Sequence, residues 1–233
     1  MKMRAQDIEF TLVRSRRKTA AIVVERSGKV TVRAPHDLSR ERVRDVVASR
    51  ALWVHRALAE WEDFNGRRPK RAFADGEGFS YLGRTYQLKL ARKSDQPLML
   101  RNGRWLLSPV VLDLGGVKAA QKAFRDFYIR KGAEHIGERV TQLAPKVGVR
   151  AGTVTVRELG YHWASCGQTG RLNFHWKLMQ APRSVIDYVV VHELCHLRFR
   201  DHSDAFWNEV DKVLPNYRDR RDWLRRYGAA MEL

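Results

Sequence analysis

The chain has 233 residues with 44 Lys or Arg against 26 Asp or Glu, a formal net charge of +18, and 44% hydrophobic and 10% aromatic residues. That apolar content suffices for a core and excludes a wholly disordered polycation. The charge is distributed, with 24 basic and 13 acidic residues in 1–116 and 20 and 13 in 117–233, so no detachable basic tail explains it.

The opening segment has no apolar signal region, and no run approaches the roughly 18 apolar residues of a membrane span. Two cysteines, Cys166 and Cys195, do not make a disulfide framework. The expected setting is cytoplasmic, with no membrane partner.

Taken in order, Ile8–Val13 reads as an apolar strand, followed by a basic cluster at Arg14, Arg16, Arg17 and Lys18. Ala21–Glu25 and Val30–Ala34 are β-branched runs joined by Arg26-Ser27-Gly28-Lys29, a hairpin. Ser39 can cap one long helix reaching about residue 64, with Val43, Val46, Val47, Leu58 and Trp61 at helical spacing. Gly66, Pro69, Gly76 and Gly78 mark a loop. Two further hairpins turn at Leu82-Gly83-Arg84-Thr85 and at Asn102-Gly103.

From Val117 to about Leu143 the period becomes helical, and Pro145 and Gly148 end the run. Thr153–Arg157 and Arg171–Leu178 read as strands, and helices fill the rest. No internal repeat is visible. The expected fold class is α+β, with a β-rich N-terminal region over residues 1–115 and a helix–strands–helices domain over 116–233.

Residues 192–196 read His-Glu-Leu-Cys-His, within a run from Ser184 to about Phe199 that is helical and mostly apolar. Ser184 suits an N-cap and Asp187 the acidic arm of a capping box. With 8 His and 12 Glu in 233 residues, chance supplies this pattern roughly 0.01 times, so it is read as functional. Histidines four apart project from one helix face and can address one divalent ion, while Glu193 lies near enough to work on water without ligating. A catalytic zinc takes three protein ligands and keeps one position open. His202 matches the spacing of a third histidine, although Phe199 stands where the long metzincin motif has Gly. Glu209 on the following helix is the competing third ligand.

The run Tyr188–Leu197, then His202-Ser203, Phe206-Trp207, Pro215-Asn216-Tyr217 and Trp223-Leu224, resembles the YgjP-like metallopeptidase family. Trp163-Ala164-Ser165-Cys166, Leu172-Asn173, Ala181-Pro182, Asp75-Gly76-Glu77 and Tyr81–Arg84 extend the resemblance over nearly the whole chain. It implies a zincin-like domain related to the SprT-like proteases, built from a long helix, a small antiparallel or mixed sheet, the metal helix and C-terminal helices. It further implies one Zn2+ on His192, His196 and His202, with Glu193 catalytic. Ala164 and His162 depart from the family's usual Gly and basic residue.

His162 and His175 lie on segments that can flank the metal helix and donate to an oxyanion, and Asn173 can orient a loop or substrate. Cys166 and Cys195 read as buried thiols. Arg218, Arg220, Arg221, Arg225 and Arg226 form a basic C-terminal face, and the nearby aromatics read as core.

The expected function is a zinc-dependent hydrolase, a metallopeptidase, acting on a peptide or an anionic substrate. Three alternatives stand beside it: a nucleoside triphosphate pyrophosphatase or phosphohydrolase, a DNA-associated protease, and a non-catalytic metal-stabilised nucleic-acid-binding module that uses the basic surface. Oligomeric state is open.

Overall fold

The computed structural model describes residues 1–25, 27–66, 71–91, 96–160 and 162–233, without the side chains of 63–66. Arg26 and Pro69, assigned above to a turn and a loop, fall outside the described residues. The fold is α+β, and the chain divides into two compact units, Met1–Arg68 and Pro69–Leu233.

In the first unit, β1 (Lys2–Ala5), β2 (Ile8–Arg14), β3 (Ala21–Val24) and β4 (Val30–Ala34) form one sheet in the order β1-β2-β4-β3. β2 and β4 run parallel, and each has an antiparallel partner outside it. Ile8, Phe10 and Leu12 alternate inward on β2 and share a core with Val32, Val43, Val47 and Val54.

Ser39 caps α1 (Arg40–Ala48) as expected, its hydroxyl accepting from the Arg42 amide at 3.1 Å. The single helix expected to residue 64 is instead two, because α2 (Ala51–Gly66) starts afresh. At the break, the Ser49 hydroxyl donates to the Val46 carbonyl and the Arg50 amide reaches Val47 rather than Val46. Hydroxyl back-bonding of this kind competes with the helical ladder.

The second unit opens with β5 (Gly78–Tyr81), β6 (Arg84–Leu90), β7 (Leu98–Arg101) and β8 (Arg104–Leu107), in the order β5-β6-β8-β7. The central pair is again parallel and the outer pairs antiparallel. The two sheets thus repeat one topology, a repeat that no sequence similarity announces. Leu82-Gly83 and Asn102-Gly103 both hold positive φ at their two central residues, the geometry that matches strand twist in two-residue hairpins.

α3 (Pro109–Val147) begins before the expected Val117 and is broken at Gly116, where φ 58° and ψ −152° are not helical. Pro145 lies inside its last turns, and Gly148 ends it in the left-handed conformation. Phe124 stacks on Phe79 at 4.4 Å and meets Trp105 at 5.0 Å, and the Trp105 indole donates to the Phe79 carbonyl at 3.0 Å.

The β5–β8 sheet and α3 therefore share one apolar core. This is why the division falls near residue 68 and not at the expected 115/116. The boundary follows shared burial, which a change in periodicity at Gly115-Gly116 does not report.

Next come β9 (Val154–Arg157), β10 (Ala164–Cys166) and β11 (Leu172–His175), a mixed sheet in the order β10-β11-β9. The strand expected to run to Leu178 stops at His175 and turns into a 3-10 helix, Trp176–Gln180. α4 (Arg183–Cys195), α5 (Asp204–Val213) and α6 (Tyr217–Tyr227) complete the unit. Pro182, not Ser184, stands at the N-cap of α4, and Asp187 makes no capping box. Instead Asp187 accepts two bonds from Arg139 of α3, at 2.6 and 2.9 Å. No described helix is long and apolar enough to cross a membrane.

Removing a ring from the shared aromatic cluster leaves a void lined by Phe79 and Trp105. Phe124→Ala is expected to lower unfolding free energy by about 3–5 kcal/mol, read from the midpoint of urea denaturation.

Candidate metal centre

α4 is buried along Val185, Ile186, Val189, Val190, Val191, Leu194 and Cys195. Into this apolar helix the chain sets His192 and Glu193, the latter only 5% exposed. His196 is the C-cap of α4, still one turn from His192. His202 comes from the loop before α5 and is exposed.

Nε2 of His192 lies 3.2 Å from Nε2 of His196 and 3.1 Å from Nε2 of His202. Ligand atoms of the three residues all fall within 4.8 Å of one another. Nitrogens around a tetrahedral ion bonded at about 2.0–2.1 Å stand about 3.3 Å apart, so the donor set fits one divalent ion. Nδ1 of His196 meets the Phe199 carbonyl at 3.0 Å; a proton held there leaves the Nε2 lone pair free for a metal. Nδ1 of His192 is buried with no partner among the described residues.

Burial, reinforced by the neighbouring His196 and His202, pushes His192 down to about 3, and burial also lowers His202. Both remain the neutral imidazoles that a cation needs. Burial alone pushes Glu193 up to about 8, so that its ionised form is a stronger base than an ordinary carboxylate.

Phe206 of α5 forms the floor of the site, with its ring 4.9, 4.6 and 4.9 Å from His192, His196 and His202. Trp207 is half-buried and does more than fill core. It stacks on His202 at 5.6 Å and 26°, and on Tyr217 at 5.3 Å and 15°. Tyr217 in turn stacks on Tyr188 at 6.3 Å. Arg218 and Arg221 of the basic C-terminal face cover this ladder, at 4.7 Å over Tyr217 and 5.8 Å over Trp207. An exposed histidine on a loop carrying Phe199 in place of Gly is thus held by ring stacking.

The three histidines and Glu193 line a cleft of about 550 Å³, walled by His162, β10, Gly167, Gln168, Leu197 and Arg200. β10 is the edge strand on the cleft, whereas the 171–178 segment supplies the central strand β11. His162 therefore reaches the cleft, as does Cys166, which is half-buried and not core. Burial raises the Cys166 thiol, as does Glu193, against a lowering influence of Arg200. Cys195 is fully buried.

His175 is placed differently. It is fully buried, accepts from the Lys177 amide at 3.1 Å to cap the 3-10 helix, and meets Glu158 at 2.8 Å. Asn173 is buried and donates to the Ser165 hydroxyl at 3.3 Å, so it touches a cleft-wall residue without lining the cleft itself. Glu209 pairs with Arg198 at 3.5 Å and stands outside the histidine cluster. Arg200 and Ser165 are cleft residues that sequence reasoning passes over. The usable signal for Arg200 is its place between the second and third histidines.

A family model described as YgjP-like, metallopeptidase domain, matches residues 18–227. Among solved structures, the metallopeptidase zymogen of Pyrococcus abyssi abylysin is similar at 23% identity and a TM-score of 0.36, over 38% of this chain and 90% of that one. No curated protein matches the chain.

Two outcomes test this construction. Trp207→Ala is expected to weaken divalent-metal binding roughly 10- to 100-fold in chelator competition, with Trp207→Phe staying near wild type. Second, burial acts to raise the Glu158 carboxyl, but bonds from Trp176, His175 and Gly160 hold it below its ordinary 4.5. A depressed carboxyl stabilises above its unfolded pKa and loses that contribution as pH falls through the folded value. Thermal stability is expected to drop below about pH 4.5, and less steeply in Glu158→Gln.

Proposed function

The chain belongs to the YgjP-like metallopeptidase family, and on that premise we propose that it is a zinc-dependent peptidase with His192, His196 and His202 as ligands and Glu193 as general base. The observation that carries this reading is the convergence of three imidazole nitrogens on a cleft wall, with Glu193 adjacent on the same helix. Neutral imidazoles suit zinc. Among the described residues the cluster has three members, which favours an open catalytic site over a closed structural one.

When bound, the ion supplies Lewis acidity, bringing the pKa of water toward neutrality and polarising a carbonyl. The remaining work falls to the chain. Glu193, desolvated on α4, takes the proton of the attacking water and delivers it to the leaving amine. β10 presents an outer edge along the cleft, where an extended peptide pairs by strand addition. His162 lines the cleft wall as the candidate donor to an oxyanion, and Asn173 positions the wall through Ser165. Two unpaired thiols accord with a reducing, cytoplasmic setting.

Glu193→Gln is expected to keep its zinc, measured by metal analysis, while kcat/KM on an unfolded protein substrate falls about 10²- to 10⁴-fold. A fully active Glu193→Gln protein would remove the catalytic role. Pyrophosphate release from nucleoside triphosphates without peptide cleavage would replace the peptidase reading with phosphohydrolysis.

A further inference from the structure

The loop from α4 to α5 carries two arginines with different environments. Arg198 is engaged: its guanidinium donates to the Val147 carbonyl at 3.3 Å, pairs with Glu209 at 3.5 Å and lies 5.4 Å from the Phe199 ring centre. Arg200, two residues on, is exposed and makes no hydrogen bond or ion pair among the described residues. Yet Arg200 lines the cleft beside all three histidines, and its charge is felt at Cys166 on the β10 wall.

The nearby carboxylates do not answer it. Asp201 accepts from the Ser203 amide at 3.3 Å, within its own turn. Glu193, the one carboxyl lining the cleft among the described residues, is buried in α4. His162 on the cleft wall adds no negative charge. Among the described residues the cleft thus holds a guanidinium fork without a counter-ion, in a chain of net charge +18. A guanidinium binds a carboxylate through two parallel charge-assisted bonds.

We propose that Arg200 is a specificity residue that receives the carboxylate of an Asp or Glu side chain close to the scissile bond, so that the enzyme prefers acidic peptides. This rests on the peptidase reading above. The contact also explains why the loop spends one arginine on Glu209 and leaves the other turned to the cleft.

The test is cleavage of a peptide library by the zinc-loaded full chain, with cut sites read by mass spectrometry. Wild type is expected to favour Asp or Glu at one position by roughly 10- to 100-fold in kcat/KM. Arg200→Glu is expected to reverse the preference toward Lys or Arg, with Arg200→Gln between the two. Arg226→Ala, which removes an exposed charge on α6, is expected to keep the acidic preference and so separates a local contact from net charge. Equal zinc content and circular dichroism establish that the variants fold. If wild type cuts acidic, neutral and basic peptides alike, or Arg200→Glu keeps the wild-type preference, the inference is overturned while the peptidase assignment stands. If zinc-loaded wild type cleaves no peptide at all, the peptidase assignment falls and this inference falls with it.

Discussion

Setting an imidazole and a carboxyl side by side on a helix that is otherwise apolar is expensive. An ionised group without water or partner loses several kcal/mol of solvation, by order of magnitude. His192 avoids this cost by shedding its proton and Glu193 by holding one, the first pushed down to about 3 and the second up to about 8. His192 is left neutral with a free lone pair, and the carboxylate form of Glu193 is left a stronger base than an ordinary carboxylate. The apolar burial of α4 is therefore the condition under which the site has its chemistry, and much of the second unit serves to hold α4 in place.

That support comes from several directions. Arg139 of α3 grips Asp187 with a two-pronged contact of 2.6 and 2.9 Å, which fixes the helix along its length. Phe206 sits under the three imidazoles, and the Trp207–Tyr217–Tyr188 ladder carries the loop-borne His202 back to the helix that holds its partners. On the opposite wall the β10–β11–β9 sheet presents its edge to the cleft. The buried His175 and Trp176, both bonded to the exposed Glu158, turn the chain from β11 toward α4.

Much of this is legible in the residues. The spacing of His192 and His196 on an apolar helix and the interval to His202 are local, and local patterns survive without a structure. The hairpins are legible for the same reason, since Asn102-Gly103 meets a backbone requirement that few other pairs meet. What escapes is whatever depends on a partner distant in sequence. Asp187 has the spacing of a capping residue, but Arg139, 48 positions earlier, claims it. His175 resembles a cleft residue until Glu158 and Lys177 are seen to surround it. The helix break near Ser49 escapes for a different reason: it accompanies a local hydroxyl bond to the Val46 carbonyl, and many serines inside helices make such a bond without a break. Trp207 looks like core because helical spacing cannot tell a ring that fills space from a ring that faces a histidine.

The three histidines occupy only residues 192–202, and this has a consequence for how the chain unfolds. A ligand that binds native structure alone adds stability to the cooperative segment that must open to release it. Here that segment is the end of α4, the loop and the start of α5, since neither the long α3 nor either four-stranded sheet supplies one of the converging nitrogens. A metal held by these three histidines would therefore protect amide hydrogens around the α4–α5 junction first. The order in which the molecule loosens becomes a question of metal supply at one end and of packed aromatic rings at the other.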